Sequence, residues 1–178
     1  MMVKKRLPDW LTASRGIIGT AILGLISLGP QVLPQVVALL LLGWTTDMLD
    51  GRLARRYEKG PTWIGDHDFQ FDMFMVLASS VYLAATGYVP LWIAIPYLSV
   101  GTVISLWLYW TSDFIHFKGF TMAMAFPWVF APFIIAYFYA RTAAYAGLIW
   151  MVTALLIDWK RFTGVVGDFL EGTGLVRR

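Results

Sequence analysis

The segment DMLDGRLARRYEKGPTWIGDHDFQFD, residues 47–72, separates two apolar runs and concentrates charge in a chain that otherwise has little. Of the 178 residues, 58% are hydrophobic and only 14% are charged, and the mean hydropathy is +0.65. Soluble domains carry roughly a quarter charged residues. This composition indicates an integral membrane protein with one unusually polar region.

Long stretches of the chain contain no Asp, Glu, Lys or Arg, namely residues 16–46, 73–112, 119–140 and 142–157. A transmembrane helix needs about 20 predominantly apolar residues, and Gly and Pro near residues 29–34 and 87–90 divide the two longest stretches. The sequence therefore predicts an all-α integral membrane protein with six transmembrane helices. The predicted spans are Trp10–Leu28, Val32–Asp50, Phe71–Gly87, Leu91–Trp110, Phe120–Tyr139 and Ala143–Trp159.

Residues 1–178 are predicted to form a single domain, because the chain shows no internal repeat, low-complexity tract or linker. Residues 158–178 mix charges with Val, Phe and Leu, which favours an interfacial tail at the membrane surface. Cysteine is absent, which excludes disulfides and thiolate-bound zinc.

The charges predict the orientation in the membrane. With six spans, all 11 acids and every Lys and Arg except Arg141 lie on one side. The positive-inside rule places that side, and both termini, in the cytoplasm. We therefore expect a polar active-site cleft on the cytoplasmic side and, in a bacterium, location in the inner (plasma) membrane.

The acids of the opening segment recur at helical spacing. Asp47 and Asp50 are three residues apart at the end of one predicted span, and Asp68 and Asp72 are four apart at the start of the next. Each pair therefore shares one helix face. If the two helices pack side by side, four carboxylates meet in one cleft, where their repulsion requires a cation. An all-oxygen site suits Mg²⁺ or Mn²⁺ better than zinc.

Three neighbouring residues indicate what such a site would bind. Gly51 and Ala54 leave the helix face bare enough for a bulky ligand to approach the backbone. Arg55 adds a fixed positive charge of the kind that pairs with phosphate. Together with a metal, these residues favour diphosphate chemistry at the membrane surface.

The segment resembles the signature of the CDP-alcohol phosphotransferases, D-x2-D-G-x2-A-R-x8-G-x3-D-x3-D. Its matching residues are Asp47, Asp50, Gly51, Ala54, Arg55, Asp68 and Asp72. Ile64 stands at the expected glycine position, and Gly65 follows one residue later. The separation of Arg55 and Asp68 is unchanged, so the departure concerns the turn and leaves the carboxylate register intact.

Two further segments carry weaker similarity to the family. PDWLTASR, residues 8–15, is similar to its P-N-x-L-T-x-x-R segment, with Asp9 at the usual Asn and with Thr12 and Arg15 retained. FKGFT, residues 117–121, is similar to the G-K-x-K-T stretch of phosphatidylglycerophosphate synthases. Lys118 and the Thr match there, whereas two Phe replace a Gly and a Lys. That branch also has a Lys after the last Asp, where this chain has Met.

The resemblance implies transfer of a phosphatidyl group from CDP-diacylglycerol to an alcohol with release of CMP, as part of phospholipid synthesis. The implied ligands of Mg²⁺ or Mn²⁺ are Asp47, Asp50, Asp68 and Asp72. Asp72 is also implied to take the acceptor proton. The residues implied to contact the CDP donor are Gly51, Ala54, Arg55 and Thr12. Those implied to hold an acceptor phosphate are Arg15 and Lys118. The resemblance also implies a homodimer among membrane lipids, and nothing in the sequence indicates a nucleic-acid partner.

The sequence leaves several alternatives open. Small size and the FKGFT segment favour glycerol 3-phosphate as the acceptor, but the altered lysines leave inositol phosphate, serine or another lipid alcohol. A divalent-cation transporter would also need carboxylates, but at mid-bilayer, and would not need Gly51, Ala54 and Arg55. An inactive metal-binding relative is the other alternative, motivated by the shifted glycine and the altered lysines.

Overall fold

A computed structural model describes residues 2–57 and 60–173, and within these ranges every regular element is helical. The α-helices are α1 (Met2–Gly24), α2 (Leu33–Arg56), α3 (Trp63–Asp66), α4 (Asp68–Ala85), α5 (Leu91–Thr111), α6 (Phe114–Tyr139), α7 (Arg141–Ile157) and α8 (Trp159–Gly172). Two 3-10 turns, Leu25–Leu28 and Pro30–Val32, join α1 to α2. The predicted all-α class is thus confirmed for the part of the chain that the structure describes.

The described chain contains several helices that are long and apolar enough to cross a membrane. Four segments meet this requirement on their own, namely Arg6–Leu28, Pro30–Arg56, Leu91–Thr111 and Phe114–Tyr139. A fifth span results if α7 is joined to Phe162–Glu171 across a bend of 89°. These helices indicate a multi-pass membrane protein, but the expected six spans are not confirmed. The 18-residue α4, predicted as the third span, begins with Asp68, Gln70 and Asp72, and it is too short to contain an apolar stretch of membrane-spanning length that leaves these residues out.

Several helices extend beyond the predicted spans. The first helix begins at Met2 instead of Trp10, α2 continues to Arg56 instead of Asp50, and α6 begins at Phe114. Charged residues end an apolar run without ending a helix, because Arg and Lys are good helix formers. The charged side chains near residue 50 therefore project from regular helix and not from a loop.

Helix α1 packs against both α2 and α4, which make few contacts with each other. The sequence made the meeting of the four carboxylates conditional on α2 and α4 packing side by side, and the structure shows that both pack chiefly against α1. Two glycines on α1 permit the close approach to α4. A Cβ atom at Gly16 would lie 3.1 Å from the Phe71 ring, and one at Gly19 would lie 2.7 Å from the Phe74 ring. The bare face of α1 is thus what brings the polar start of α4 close to it.

The turn between α1 and α2 is fastened to the chain around the end of α4. Gly29 has a φ of 81°, in the left-handed region that favours glycine. The Tyr82 hydroxyl donates to the Gly29 carbonyl oxygen at 3.0 Å, and the Tyr88 hydroxyl donates to the Pro30 carbonyl oxygen at 2.9 Å. Buried apolar side chains of α1, α2, α4, α6 and α7 form the main core. Together these contacts set how the first helices and α4 lie relative to one another.

Candidate active site

Six polar side chains from three helices converge where α2 nears its end and α4 begins. Each helix supplies two of them, spaced three or four residues apart and therefore on one face. The pairs are Thr12 and Arg15 of α1, Asp47 and Asp50 of α2, and Asp68 and Asp72 of α4. We refer to the four aspartates as the carboxylate cluster. The two local pairings that the sequence predicts thus become a single site.

The guanidinium of Arg15 lies among the four carboxylates, and its side chain is 0% exposed. Its Nη1 donates to Asp47 Oδ1 at 3.0 Å and to Asp72 Oδ1. Its Nη2 donates to Asp50 Oδ2 at 2.6 Å and to Asp68 Oδ1. A planar guanidinium offers several N–H donors in a fixed fork, so one arginine can bind carboxylates from two helices. Arg15 therefore links α1 to both α2 and α4.

Thr12 lies one helical turn before Arg15 and is also buried. Its hydroxyl donates to Asp50 Oδ2 at 2.9 Å and accepts from Arg15 Nη2 at 3.2 Å, and Asp68 Oδ1 lies 3.4 Å away. The sequence predicts that Thr12 contacts the nucleotide and that Arg15 holds an acceptor phosphate. In the structure both side chains are hydrogen-bonded to carboxylates. Nucleotide binding by Thr12 and acceptor binding by Arg15 stay predictions.

The cluster carries more negative than positive charge and is open on one side. Four carboxylates face one guanidinium, and side-chain exposure rises from 8% at Asp50 to 41% at Asp68. Carboxylate oxygens of Asp47, Asp50 and Asp68 lie within 4.8 Å of one another. Hard divalent cations prefer oxygen ligands of this kind. The residues present therefore fit a divalent metal ion.

A comparison with known families identifies the class of enzyme. The model for CDP-alcohol phosphatidyltransferase matches residues 5–157. The chain belongs to that family. It is accordingly a transferase of substituted phosphate groups that performs phosphatidyl transfer in phospholipid synthesis, with CDP-alcohol substrates and membrane lipids as its partners. The family uses divalent metals, with which the three clustered aspartates are compatible. No curated protein and no solved structure matches the chain.

The residues predicted to bind the CDP donor follow the carboxylates on α2. Gly51 and Ala54 are half-buried, and Arg55 is exposed. At four, seven and eight residues from Asp47, they continue the same helix face. In this CDP-alcohol phosphatidyltransferase they are thus accessible beside the cluster, and donor binding by them stays a prediction.

Lys118, the other predicted acceptor ligand, lies outside the cluster. It is near the start of α6, and its Nζ donates to Asp168 Oδ2 of α8 at 2.7 Å. The sequence gives no signal for this pairing, because the two residues are 50 positions apart. Acceptor binding by Lys118 also stays a prediction.

The shifted glycine of the family signature lies in the one-turn helix α3. The Thr62 hydroxyl accepts from the Gly65 backbone N–H at 3.2 Å and donates to Asp9 Oδ1 at 2.7 Å. Gly65 is not among the described glycines with positive φ, so its backbone conformation does not demand glycine. Sequence reasoning missed Thr62, although Thr is a favoured residue at a helix N-cap. The glycine one position late therefore lies in a turn that is capped by Thr62 and is followed directly by the helix of Asp68.

Proposed function

We propose that this enzyme transfers the phosphatidyl group of CDP-diacylglycerol to glycerol 3-phosphate, forming phosphatidylglycerophosphate and releasing CMP. The convergence of four carboxylates from two helices, beside Gly51 and Arg55, is the observation that supports this chemistry. The partial match of FKGFT supports the choice of acceptor. The same chemistry with inositol phosphate, serine or another lipid alcohol is the alternative.

Asp47, Asp50, Asp68 and Asp72 are the residues that would hold one or two Mg²⁺ or Mn²⁺ ions. When bound, the metal would neutralise diphosphate oxygens and stabilise the charge that develops on the CMP leaving group. The close spacing of the Asp47, Asp50 and Asp68 oxygens supports this assignment. The buried guanidinium of Arg15 would then hold the carboxylates of α2 and α4 in position through its hydrogen bonds to them.

The chain's own residues account for the remaining steps. Arg55 pairs with the donor phosphates, and the bare helix at Gly51 and Ala54 lets the donor lie against the backbone. The acceptor hydroxyl oxygen forms a bond to the phosphorus that carries the diacylglycerol, and the bond from this phosphorus to the CMP oxygen breaks. Asp72, whose side chain is 28% exposed, takes the hydroxyl proton as general base.

The membrane arrangement follows from the same proposal. We place α4 and α7 across the membrane as well, which makes six spans with both termini in the cytoplasm. The near-complete confinement of charge to one side of such an arrangement supports it. The cleft then opens to the cytoplasm, where the soluble acceptor is available. Family resemblance alone supports a homodimer.

A reconstituted assay tests the function. Purified enzyme is incubated with CDP-diacylglycerol and single acceptors, with Mg²⁺, with Mn²⁺ or with EDTA, and the lipid product is identified by mass. We expect CMP release that requires a divalent metal and glycerol 3-phosphate. CMP release with inositol phosphate or serine, and not with glycerol 3-phosphate, would refute glycerol 3-phosphate as the acceptor. Metal flux without CMP release would favour a transporter.

The role of Asp72 has its own test. Asp72→Asn should abolish CMP release and leave the protein folded, because the amide cannot accept the proton. Asp66→Asn is the matched control, since Asp66 is an exposed acid of α3 outside the cluster. Normal turnover by Asp72→Asn would remove this residue from the mechanism.

A further inference from the structure

Helix α8 lies outside the part of the chain that matches the family, which ends at residue 157. It follows α7 after Asp158, and the axes of the two helices differ by 89°. It packs mainly against α6 and also contacts α7. The sequence predicts this segment, as part of residues 158–178, to be an interfacial tail, and the structure describes it as far as residue 173.

Two ion pairs fasten α8 to the end of the bundle that carries the carboxylate cluster. Lys118 Nζ lies 2.7 Å from Asp168 Oδ2, which joins the start of α6 to α8. Arg52, two residues after Asp50, lies 3.4 Å from Asp158, which precedes α8. We call these two pairs the α8 clasp. Partly exposed pairs contribute only about 0–1 kcal/mol each, so the clasp positions α8 without locking it.

A groove of about 420 Å³ runs between α8 and the cluster. Its volume is within the usual range of roughly 300–1,000 Å³ for small-molecule sites. Apolar side chains of α2, α6 and α7 form most of its lining, and α8 contributes Phe162 and Val165. The charged residues among its lining are Asp47, a member of the cluster, and Asp158 of the clasp. The groove therefore meets the candidate active site at Asp47, and apart from Asp158 the rest of its lining is apolar.

We propose that this groove takes an acyl chain of the lipid donor and that α8 is its outer wall, with Phe162 and Val165 determining which chains it accepts. This inference rests on the proposed function, because a diphosphate bound at Asp47 carries a diacylglycerol that must lie nearby. A second cavity, of about 360 Å³ between α4, α5 and α6, is lined by none of the four aspartates. Continuity with Asp47 therefore assigns the donor chain to the groove beside α8.

The first test measures the dependence of the donor KM on acyl-chain length. Val165→Trp fills the groove, so we expect about a tenfold higher KM for CDP-dioleoylglycerol, with little change in kcat or in the KM for CDP-dihexanoylglycerol. Val166→Trp is the matched control, because Val166 is the next residue of α8 and does not line the groove. Equal effects of both substitutions on both donors would overturn the inference.

The second test separates the clasp from acceptor binding by Lys118. Asp168→Lys should raise the KM for the dioleoyl donor and leave the acceptor KM unchanged, and Lys118→Asp should raise the donor KM by a similar factor. The double variant with the charges exchanged should restore the donor KM, because the ion pair is re-formed. A raised acceptor KM that the exchange does not restore would show that Lys118 binds the acceptor and not α8.

A photocrosslinking measurement does not depend on turnover. A benzophenone amino acid at position Phe162 should crosslink labelled CDP-dioleoylglycerol, and excess unlabelled CDP-dioleoylglycerol should suppress the product. The same probe at the exposed Phe138, at the opposite end of α6, should give only labelling that the competitor does not suppress. If the enzyme releases CMP but the competitor suppresses no labelling at Phe162, the inference that α8 lines the acyl-chain groove is refuted. The proposed function is then unaffected. Absence of CMP release from the wild type overturns the proposed function itself.

Discussion

Replacing Arg15 by Met would remove the guanidinium that contacts all four members of the carboxylate cluster. The Arg15 side chain is 0% exposed, and its contacts include Asp47 Oδ1 at 3.0 Å and Asp50 Oδ2 at 2.6 Å. Without it, carboxylates from two helices face one another without the guanidinium that binds all four of them. The variant should therefore be less stable and should depend more strongly on divalent metal than the wild type.

The expected magnitude follows from burial. Removing one partner of a buried ion pair costs about 3–5 kcal/mol. Because Asp47 and Asp68 are 20% and 41% exposed, water screens part of the repulsion and the cost should be near the lower limit. A loss of about 3 kcal/mol lowers the folded-to-unfolded ratio roughly a hundredfold. Mg²⁺ at about 100 times its Kd would contribute ~2.7 kcal/mol, which is nearly the whole loss.

The assay is unfolding in mixed micelles with increasing denaturing detergent, with EDTA and with Mg²⁺. Arg141→Met is the matched control, because Arg141 is an exposed arginine at the start of α7, and its free energy of unfolding should change by less than about 0.5 kcal/mol. If the Arg15→Met variant and the wild type have the same free energy of unfolding in EDTA, the structural role of the guanidinium is refuted. Equal stabilisation of both proteins by Mg²⁺ would refute the idea that guanidinium and metal neutralise the same carboxylates.

Two further substitutions test how α1 and α3 are positioned. Gly19→Leu should cost about 1–3 kcal/mol and reduce CMP release, because its Cβ would lie 2.7 Å from the Phe74 ring of α4. Gly24→Leu has nothing within 4 Å of the added Cβ and should retain CMP release, so equal activities would contradict the packing argument. Thr62→Ala should lower stability by about 1 kcal/mol, since it loses the α3 cap and the bond to Asp9. Thr62→Ser keeps the hydroxyl and should unfold at the same temperature as the wild type. If both variants lose the same stability, the hydroxyl is not the cause of the loss.

The arrangement of the carboxylates within each helix could be predicted from sequence. Asp47 with Asp50, and Asp68 with Asp72, share a face because the three- and four-residue spacing is a property of a single helix. The position of Arg15 among them could not be predicted in this way. It depends on Gly16 and other α1 residues meeting side chains of α4 that lie more than 50 positions away. Nothing in a local spacing states which helix will approach another.

The number of spans rests on local composition alone, and six spans stay a prediction. Uncharged stretches of adequate length predict spans, and the structure has four or five candidates among its described residues. The segment at Asp68–Ala85 is helical as expected, but its first turns carry the polar residues Asp68, Gln70 and Asp72. Because the helix has only 18 residues, these polar side chains fall within any stretch of it that is long enough to cross the membrane.

The sequence by itself determines that this protein is a helical membrane enzyme of the CDP-alcohol phosphatidyltransferase family, because composition, helical spacing and a motif are all readable along the chain. Only the tertiary structure decides that α1 places Arg15 against both acidic helices and that α8 closes a groove beside Asp47. These arrangements join residues far apart in sequence, and they depend on side-chain packing between helices. Periodicity along one helix carries no information about such partners.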